Sequence, residues 1–189
     1  MPKNEDALFI VLEGIDGSGT TTQVQLLGEE LTRNYPAREV LVTREPSNTP
    51  VTNLIRRWLS ADDPGMPDKA MCMAFAVDRY MHVRDVVQPA LDRGAIIVCD
   101  RYKLSTLAYQ TPNLPIPWVH DLCMDHVDPD LYVMLNIPPE EAMDRVLNRA
   151  AAPDKYEATL GFQAQVAAQY ARAIEIEMHV TTCEVDVAG

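Results

Sequence analysis

The chain has 189 residues, 47% of them hydrophobic, and a formal net charge of -12. That length fits one domain with a sizeable core, and the acidic balance argues against a nucleic-acid polyanion as partner, because backbone binding needs a basic face. A small anionic substrate stays compatible, since a few cations gathered at one site decide more than the net charge does. No apolar run approaches the roughly 20 residues that cross a bilayer, and "MPKNEDALFIVLE" enters a strand without a cleavable signal pattern. Cys72, Cys99, Cys123 and Cys183 form no C-x-x-C pair, so neither a zinc site nor a disulfide framework is expected, and the reading is of a reducing cytoplasm.

In chain order, Leu8 to Glu13 is an apolar run stopped by Gly14 and reads as a buried strand. Thr20 to Asn34 reads as a helix, Glu39 to Thr43 as a second strand, and Val51 to Leu59 as a helix. "ADDPGMPD" (61–68) is a turn-rich loop. Lys69 to Arg93 reads as helical, with Pro89 kinking or breaking it. "AIIVC" (95–99) is a third strand, Leu104 to Gln110 a short helix, and "TPNLPIP" a surface loop. Trp118 to Val127 reads as a helix and Leu131 to Ile137 as a fourth strand. Pro138 and Pro139 open a helix running to about residue 150, with Pro tolerated in its first turn. Tyr156 to Glu177 reads as a long helix and Val180 to Val187 as a last strand. Apolar strands alternating with helices predict an α/β chain, a five-stranded parallel sheet covered on both faces, with ligands beyond the carboxyl ends of the strands. No internal repeat or linker is evident.

Three constellations fall on that edge. "GIDGSGTTT" (14–22) follows the first strand and opens a helix. The spacing from Gly14 to Gly19 is that of a phosphate-cradling loop, whose backbone N–H groups and helix dipole bind phosphate oxygens. Gly17 and Gly19 permit positive φ, and Thr21 stands where a Mg²⁺-binding hydroxyl belongs. "DRYKLSTLAYQ" (100–110) follows the third strand. There Asp100 could hold Mg²⁺ or its waters, and Arg101 a phosphate through parallel hydrogen bonds. "FAVDR" (75–79) puts Phe75 and Arg79 on one helix face, where spacing alone favours a core ring and a solvated guanidinium.

Together with "TREP", "PDLYVMLNI" and "DKYE", these stretches make the chain resemble the thymidylate kinases, enzymes that phosphorylate dTMP with ATP and Mg²⁺. The resemblance runs from Phe9 to about Asp186. It implies a three-layer P-loop NTPase-type fold, ATP on Gly14, Ile15, Asp16, Gly17, Ser18, Gly19, Thr20, Thr21 and Thr22, and a homodimer. Phe75 would stack on thymine and Arg79 would bind its carbonyl edge, reversing the bland reading of that pair. Asp16 would meet the sugar 3′-hydroxyl and lie near the metal. Arg56 and Arg101 would hold the dTMP phosphate, and Arg44 would organise the site from nearby. Thr106, Tyr109 and Gln110 would line the base and sugar pocket. Thr21, Asp16, Asp100 and Glu157 form the implied Mg²⁺ set. Residues 145–157 resemble a lid over ATP. Gly17 marks the subtype whose lid supplies the catalytic cation, with Arg149 first and Arg145 second; Lys155 stands where relatives often carry Arg.

Two departures stand out. Thr20 occupies the place of the P-loop Lys, which reaches the β- and γ-phosphates as a point charge. Either another cation enters, from Arg149, Arg145, Lys155 or Lys103, or turnover is low. The family also usually adds a helix after the last strand, whereas this sequence ends at Gly189; either the tail is short or it is truncated, and a less covered patch of sheet is expected. His120, Cys123 and His126 are spaced unlike a helical zinc pair, and Asp121, Asp125 and Asp128 read as a solvated face. Trp58 and Trp118 read as packing or interface residues. Two alternatives remain open: a related nucleotide or deoxynucleoside kinase, and a catalytically silent nucleotide-binding paralogue.

Overall fold

A computed structural model describes residues 4–60, 65–123, 126–149, 154–157 and 159–188. Five strands form one parallel sheet: β1 (Leu8–Glu13), β2 (Val40–Arg44), β3 (Ile96–Asp100), β4 (Leu131–Asn136) and β5 (Thr181–Asp186), in the order β2-β3-β1-β4-β5. Register is set pair by pair, with Leu12 opposite Asp100 on one side of β1 and Glu13 opposite Met134 on the other. Successive side chains point to opposite faces, and both faces of β1 are apolar. Phe9 and Val11 join a core with Ile97, Cys99, Leu107 and Tyr170, while Ile10 and Leu12 pack with Val24 and Val98. That double burial is why the central strands read as continuous apolar runs. β5, at the sheet's end, is mostly exposed.

The helices are α1 (Thr20–Asn34), α2 (Pro50–Leu59), α3 (Asp68–His82), α4 (Gln88–Asp92), α5 (Lys103–Gln110), α6 (Ile116–Asp121), α7 (Pro139–Leu147) and α8 (Leu160–Ile176). α3 runs into α4 through one π-helical turn, Val83–Val87. Pro89 lacks an N–H and its ring crowds the carbonyl four residues back. A widened turn just before it accommodates both, so the expected kink takes this form.

Two helix expectations are corrected. The helix expected over Trp118–Val127 is instead α6, which ends at Asp121; residues 124 and 125 lie outside the described residues. The last helix begins at Leu160, not Tyr156. Asp154 Oδ1 accepts hydrogen bonds from the backbone N–H groups of Tyr156 (2.8 Å) and Glu157 (3.1 Å), which holds that segment in a turn. Thr159 then caps α8, its hydroxyl accepting from Phe162 N. Residues 61–64 of the turn-rich loop and 150–153 of the expected lid lie outside the described residues. Among the described residues no helix is long and apolar enough to cross a membrane.

Candidate active site

The glycine-rich loop leaves the carboxyl end of β1 and ends at Gly19, which caps α1 with φ 94°. Gly17 also has positive φ, 88°, and a Cβ there would stand 2.2 Å from the Ala142 carbonyl oxygen of α7. Only glycine fits where the loop and α7 approach so closely. Thr20, Thr21 and Thr22 open α1. Thr20 is buried, and Thr21 Oγ1 donates to Asp100 Oδ2 at 2.6 Å. Thr21 at the start of α1 and Asp100 at the end of β3 are therefore side by side.

The turn after β3 carries the one non-glycine positive φ among the described residues, at Arg101 (71°). Such a conformation persists only where its surroundings hold it. Glu13, fully buried at the end of β1, accepts from Tyr102 N (2.8 Å) and Ser105 N (3.2 Å) and from the Tyr170 hydroxyl (3.1 Å). Burial pushes the Glu13 carboxyl above its ordinary range, against these donors. Arg101 is thereby aimed at the phosphate loop. Its guanidinium meets Asp16 Oδ1 at 2.6 Å, and Asp16 Oδ2 accepts from the Tyr109 hydroxyl at 2.8 Å.

Beside these lies a cleft lined by Asp16, Phe75, Arg79, Arg101, Thr106, Tyr109 and Gln110, together with Glu45, Asp154 and Tyr156. The solvated reading of Arg79 is corrected: the side chain is 3% exposed. Its Nε donates to Glu45 Oε2 (2.7 Å), and its Nη2 to the Tyr102 carbonyl (2.8 Å) and Thr106 Oγ1 (2.7 Å). Glu45 also faces His82 Nδ1 at 3.1 Å. Phe75 is half-buried, packed on Ile55, Met71 and Ala74 and turned to the cleft. The neighbouring Asp78 accepts from Ser47 N, Thr49 Oγ1 and Thr52 Oγ1 at 2.7, 2.5 and 2.7 Å. α3 thus pins the loop after β2 through Asp78 and Glu45. Sequence reasoning missed Glu13, Glu45 and Asp78; the only signal was an acidic residue at each of two strand ends and one beside Arg79.

Arg44 and Arg56 are exposed and line a second cleft with Ser47, Thr49 and His82, across the 45–47 segment from the first. Arg145 faces Glu141 and the Val187 carbonyl. Lys155 Nζ donates to the Trp58 carbonyl at 2.8 Å. Arg149 is paired with Glu157, which is buried. Lys103 is corrected as a replacement cation: it is buried, donating to the His126 carbonyl (2.9 Å) and Asp128 Oδ1 (2.5 Å). Asp128 itself is 46% exposed, in keeping with the solvated face expected for it, with one carboxylate oxygen held by Lys103.

A thymidylate kinase family profile matches residues 12–187. A probable thymidylate kinase of Thermococcus kodakarensis is 37% identical, over 95% of this chain and 91% of its own length. The chain belongs to the thymidylate kinase family. The thymidylate kinase of Syntrophotalea carbinolica is 40% identical over 77% of this chain and 69% of its own. The crystal structure of thymidylate kinase from Ehrlichia chaffeensis superposes with a TM-score of 0.75 at 26% identity, covering 95% and 92% of the two chains. Membership makes this thymidylate kinase homologue a phosphotransferase with the family's P-loop kinase fold.

Mg²⁺, which the family implies, fits one place in this thymidylate kinase fold. Asp100 Oδ1 is buried and accepts no hydrogen bond, while Oδ2 takes the Thr21 hydroxyl. A carboxylate oxygen left without a donor beside a phosphate loop is suited to a hard cation or its waters.

Asp154 gives this site a pH signature. Burial, then the charges of Glu157 and Asp16, raise its carboxyl to about 6. Between roughly pH 4, where an unfolded Asp ionises, and about 6, the folded chain holds a proton that the unfolded chain has lost. The stability this adds is complete below that window and lost as pH rises through it. Thermal melts of wild type and Asp154→Asn across pH 4–7 are expected to show wild type losing ground to the variant up to about pH 6, with a constant difference above. A difference constant throughout would contradict the assignment.

Proposed function

We propose that the chain phosphorylates dTMP to dTDP with ATP and Mg²⁺, within one domain and as a cytoplasmic homodimer. The observation that carries this reading is the cleft in which Phe75, Arg79, Thr106, Tyr109 and Gln110 meet Arg101 and Asp16 at the edge of the phosphate loop. The thymine ring stacks on Phe75, and Arg79, held flat by Glu45, Tyr102 and Thr106, meets its polar edge. Asp16, with Tyr109 as its partner, takes the sugar 3′-hydroxyl. Arg101 faces the acceptor phosphate, and Arg44 and Arg56 add positive charge from the adjoining cleft. The loop from Gly14 to Thr22 cradles the ATP phosphates on backbone N–H groups.

Thr21 and Asp100 would hold Mg²⁺, with Asp16 and Glu157 nearby, and the ion would offset charge between the two phosphate groups. Phosphoryl transfer is mostly positioning and charge stabilisation, so the chain must replace the cation that Thr20 does not supply. Arg149, on the segment between α7 and the Asp154–Glu157 turn, is that cation. Lid closure over residues 145–157, with Lys155 anchored to the Trp58 carbonyl, excludes water and favours transfer to dTMP over hydrolysis.

A coupled assay of ADP release across dTMP, dUMP, dCMP and thymidine tests the reading. The highest kcat/KM is expected with dTMP. Thymidine or dCMP as the better acceptor would point to a related kinase, and dTMP binding without turnover to a silent paralogue.

A further inference from the structure

Among the described residues, the groups that could share a metal ion are not His120, Cys123 and His126 together but Asp128, Glu177 and His179, whose ligand atoms lie within 4.8 Å of one another. His179 Nε2 stands 3.3 Å from Asp128 Oδ2 and 3.7 Å from Glu177 Oε2. His120 Nε2 stands 3.5 Å from Glu177 Oε1, the other oxygen of that carboxylate, and lies outside this set of three. The two separations at His179 are close to the ~3.3 Å edge of a tetrahedron built on metal–ligand bonds of about 2.0 Å.

A second observation is independent of this spacing. The Glu177 side chain is 3% exposed, and its Oε2 accepts no hydrogen bond. A buried carboxylate oxygen without a donor is costly unless a positive charge meets it. Asp128 and His179 are 46% and 54% exposed, which opens the cluster to solvent above that floor. Lys103 Nζ holds Asp128 Oδ1, leaving Oδ2 toward His179, as carboxylate ligands are commonly oriented by an outer partner. Two carboxylates against the one Lys103 ammonium leave the cluster net negative when the imidazole is a neutral ligand. An imidazole with two carboxylates suits Zn²⁺, whereas Mg²⁺ prefers an all-oxygen, water-rich shell.

The cluster lies in the segments entering β4 and β5, whereas the phosphate loop leaves the carboxyl end of β1. None of its members lines either cleft. We propose that Asp128, Glu177 and His179 form a zinc-binding clasp, open to water at the remaining position and separate from the catalytic site, that ties the segment entering β4 to the one entering β5.

The test is calorimetric titration of the full chain with Zn²⁺ in Mg²⁺-containing buffer, with thermal melts in parallel. Cys183, an exposed thiol that could bind zinc by itself, is replaced in every sample by Cys183→Ser. One equivalent of Zn²⁺ is expected to bind and to raise the melting temperature. His179→Ala and Glu177→Gln should each weaken binding by about 10-fold or more, and His179→Ala, at an exposed position, should melt like its parent when zinc is absent. No binding in the Cys183→Ser background, or binding of equal strength in His179→Ala, would overturn the proposal.

Discussion

Replacing Arg149 by Ala is expected to lower kcat by about 10³-fold or more, the low end of what a cation aimed at the transferring phosphoryl group contributes. Thr20 brings a hydroxyl where the family's P-loop carries an ammonium, and a hydrogen bond to a charged group is worth only about 1.5–3 kcal/mol. Of the other candidate cations, Lys103 is buried on Asp128, Lys155 reaches the Trp58 carbonyl, and Arg145 spans Glu141 and the Val187 carbonyl. Arg149 is placed differently. α7 abuts the phosphate loop where Ala142 meets Gly17, and seven residues on, about 10 Å along a helical path, Arg149 pairs with Glu157. Glu157 belongs to the same turn as Asp154, which lines the acceptor cleft. Arg149 thus stands between donor loop and acceptor cleft, with its side chain 42% exposed. Steady-state kinetics should show kcat falling and KM for dTMP changing little, with Arg149→Lys recovering part of the loss because charge returns without the planar fork. Unchanged kcat in Arg149→Ala would remove this residue from the reaction.

Arg79→Ala is expected to be costly in stability as well as in dTMP binding. Burial opposes the Arg79 charge, and Glu45 with neighbouring groups more than offsets it, so the guanidinium stays cationic. Removing it leaves Glu45 buried without its main counter-charge, and breaking such a pair costs about 3–5 kcal/mol. The Tyr102 carbonyl and Thr106 hydroxyl lose a donor at the same time. Denaturant unfolding should show the loss, and Arg79→Lys should recover only a small part, since a single ammonium nitrogen cannot stand at both places from which the guanidinium Nε and Nη2 reach their acceptors. In the folded fraction, KM for dTMP should rise more than kcat falls. A variant as stable as wild type would mean that the Glu45–Arg79 pair does not hold α3 against the loop after β2.

Much of the framework is legible in the sequence because both faces of the sheet are covered. That makes "LFIVLE", "IIVC" and "LYVMLN" apolar runs of strand length, and β1, β3 and β4 fall on them. Helix ends are less legible where a side chain competes with the helix. Tyr156 and Glu157 continue the apolar pattern of α8, but Asp154 offers their N–H groups a local acceptor and a turn results. In the site, the motifs lead to Arg101 and Arg79 but not to what holds them. Glu13 reads as the last residue of an apolar strand, yet its buried carboxylate is what secures the turn at Arg101. A one-face spacing rule assigns Arg79 to solvent because it cannot show that Glu45, distant in sequence, is buried beside it. The same limit hides the Asp128–Glu177–His179 cluster, in which Asp128, far in sequence from the other two, meets them only because β4 and β5 are paired.

The most direct measurement is dTDP formation by the unaltered chain and by Thr20→Lys, at saturating ATP, Mg²⁺ and dTMP. Turnover by the unaltered chain, changed little by the added lysine, is the expected result, since Arg149 already carries the charge. An inactive wild type that Thr20→Lys brings to life would contradict it.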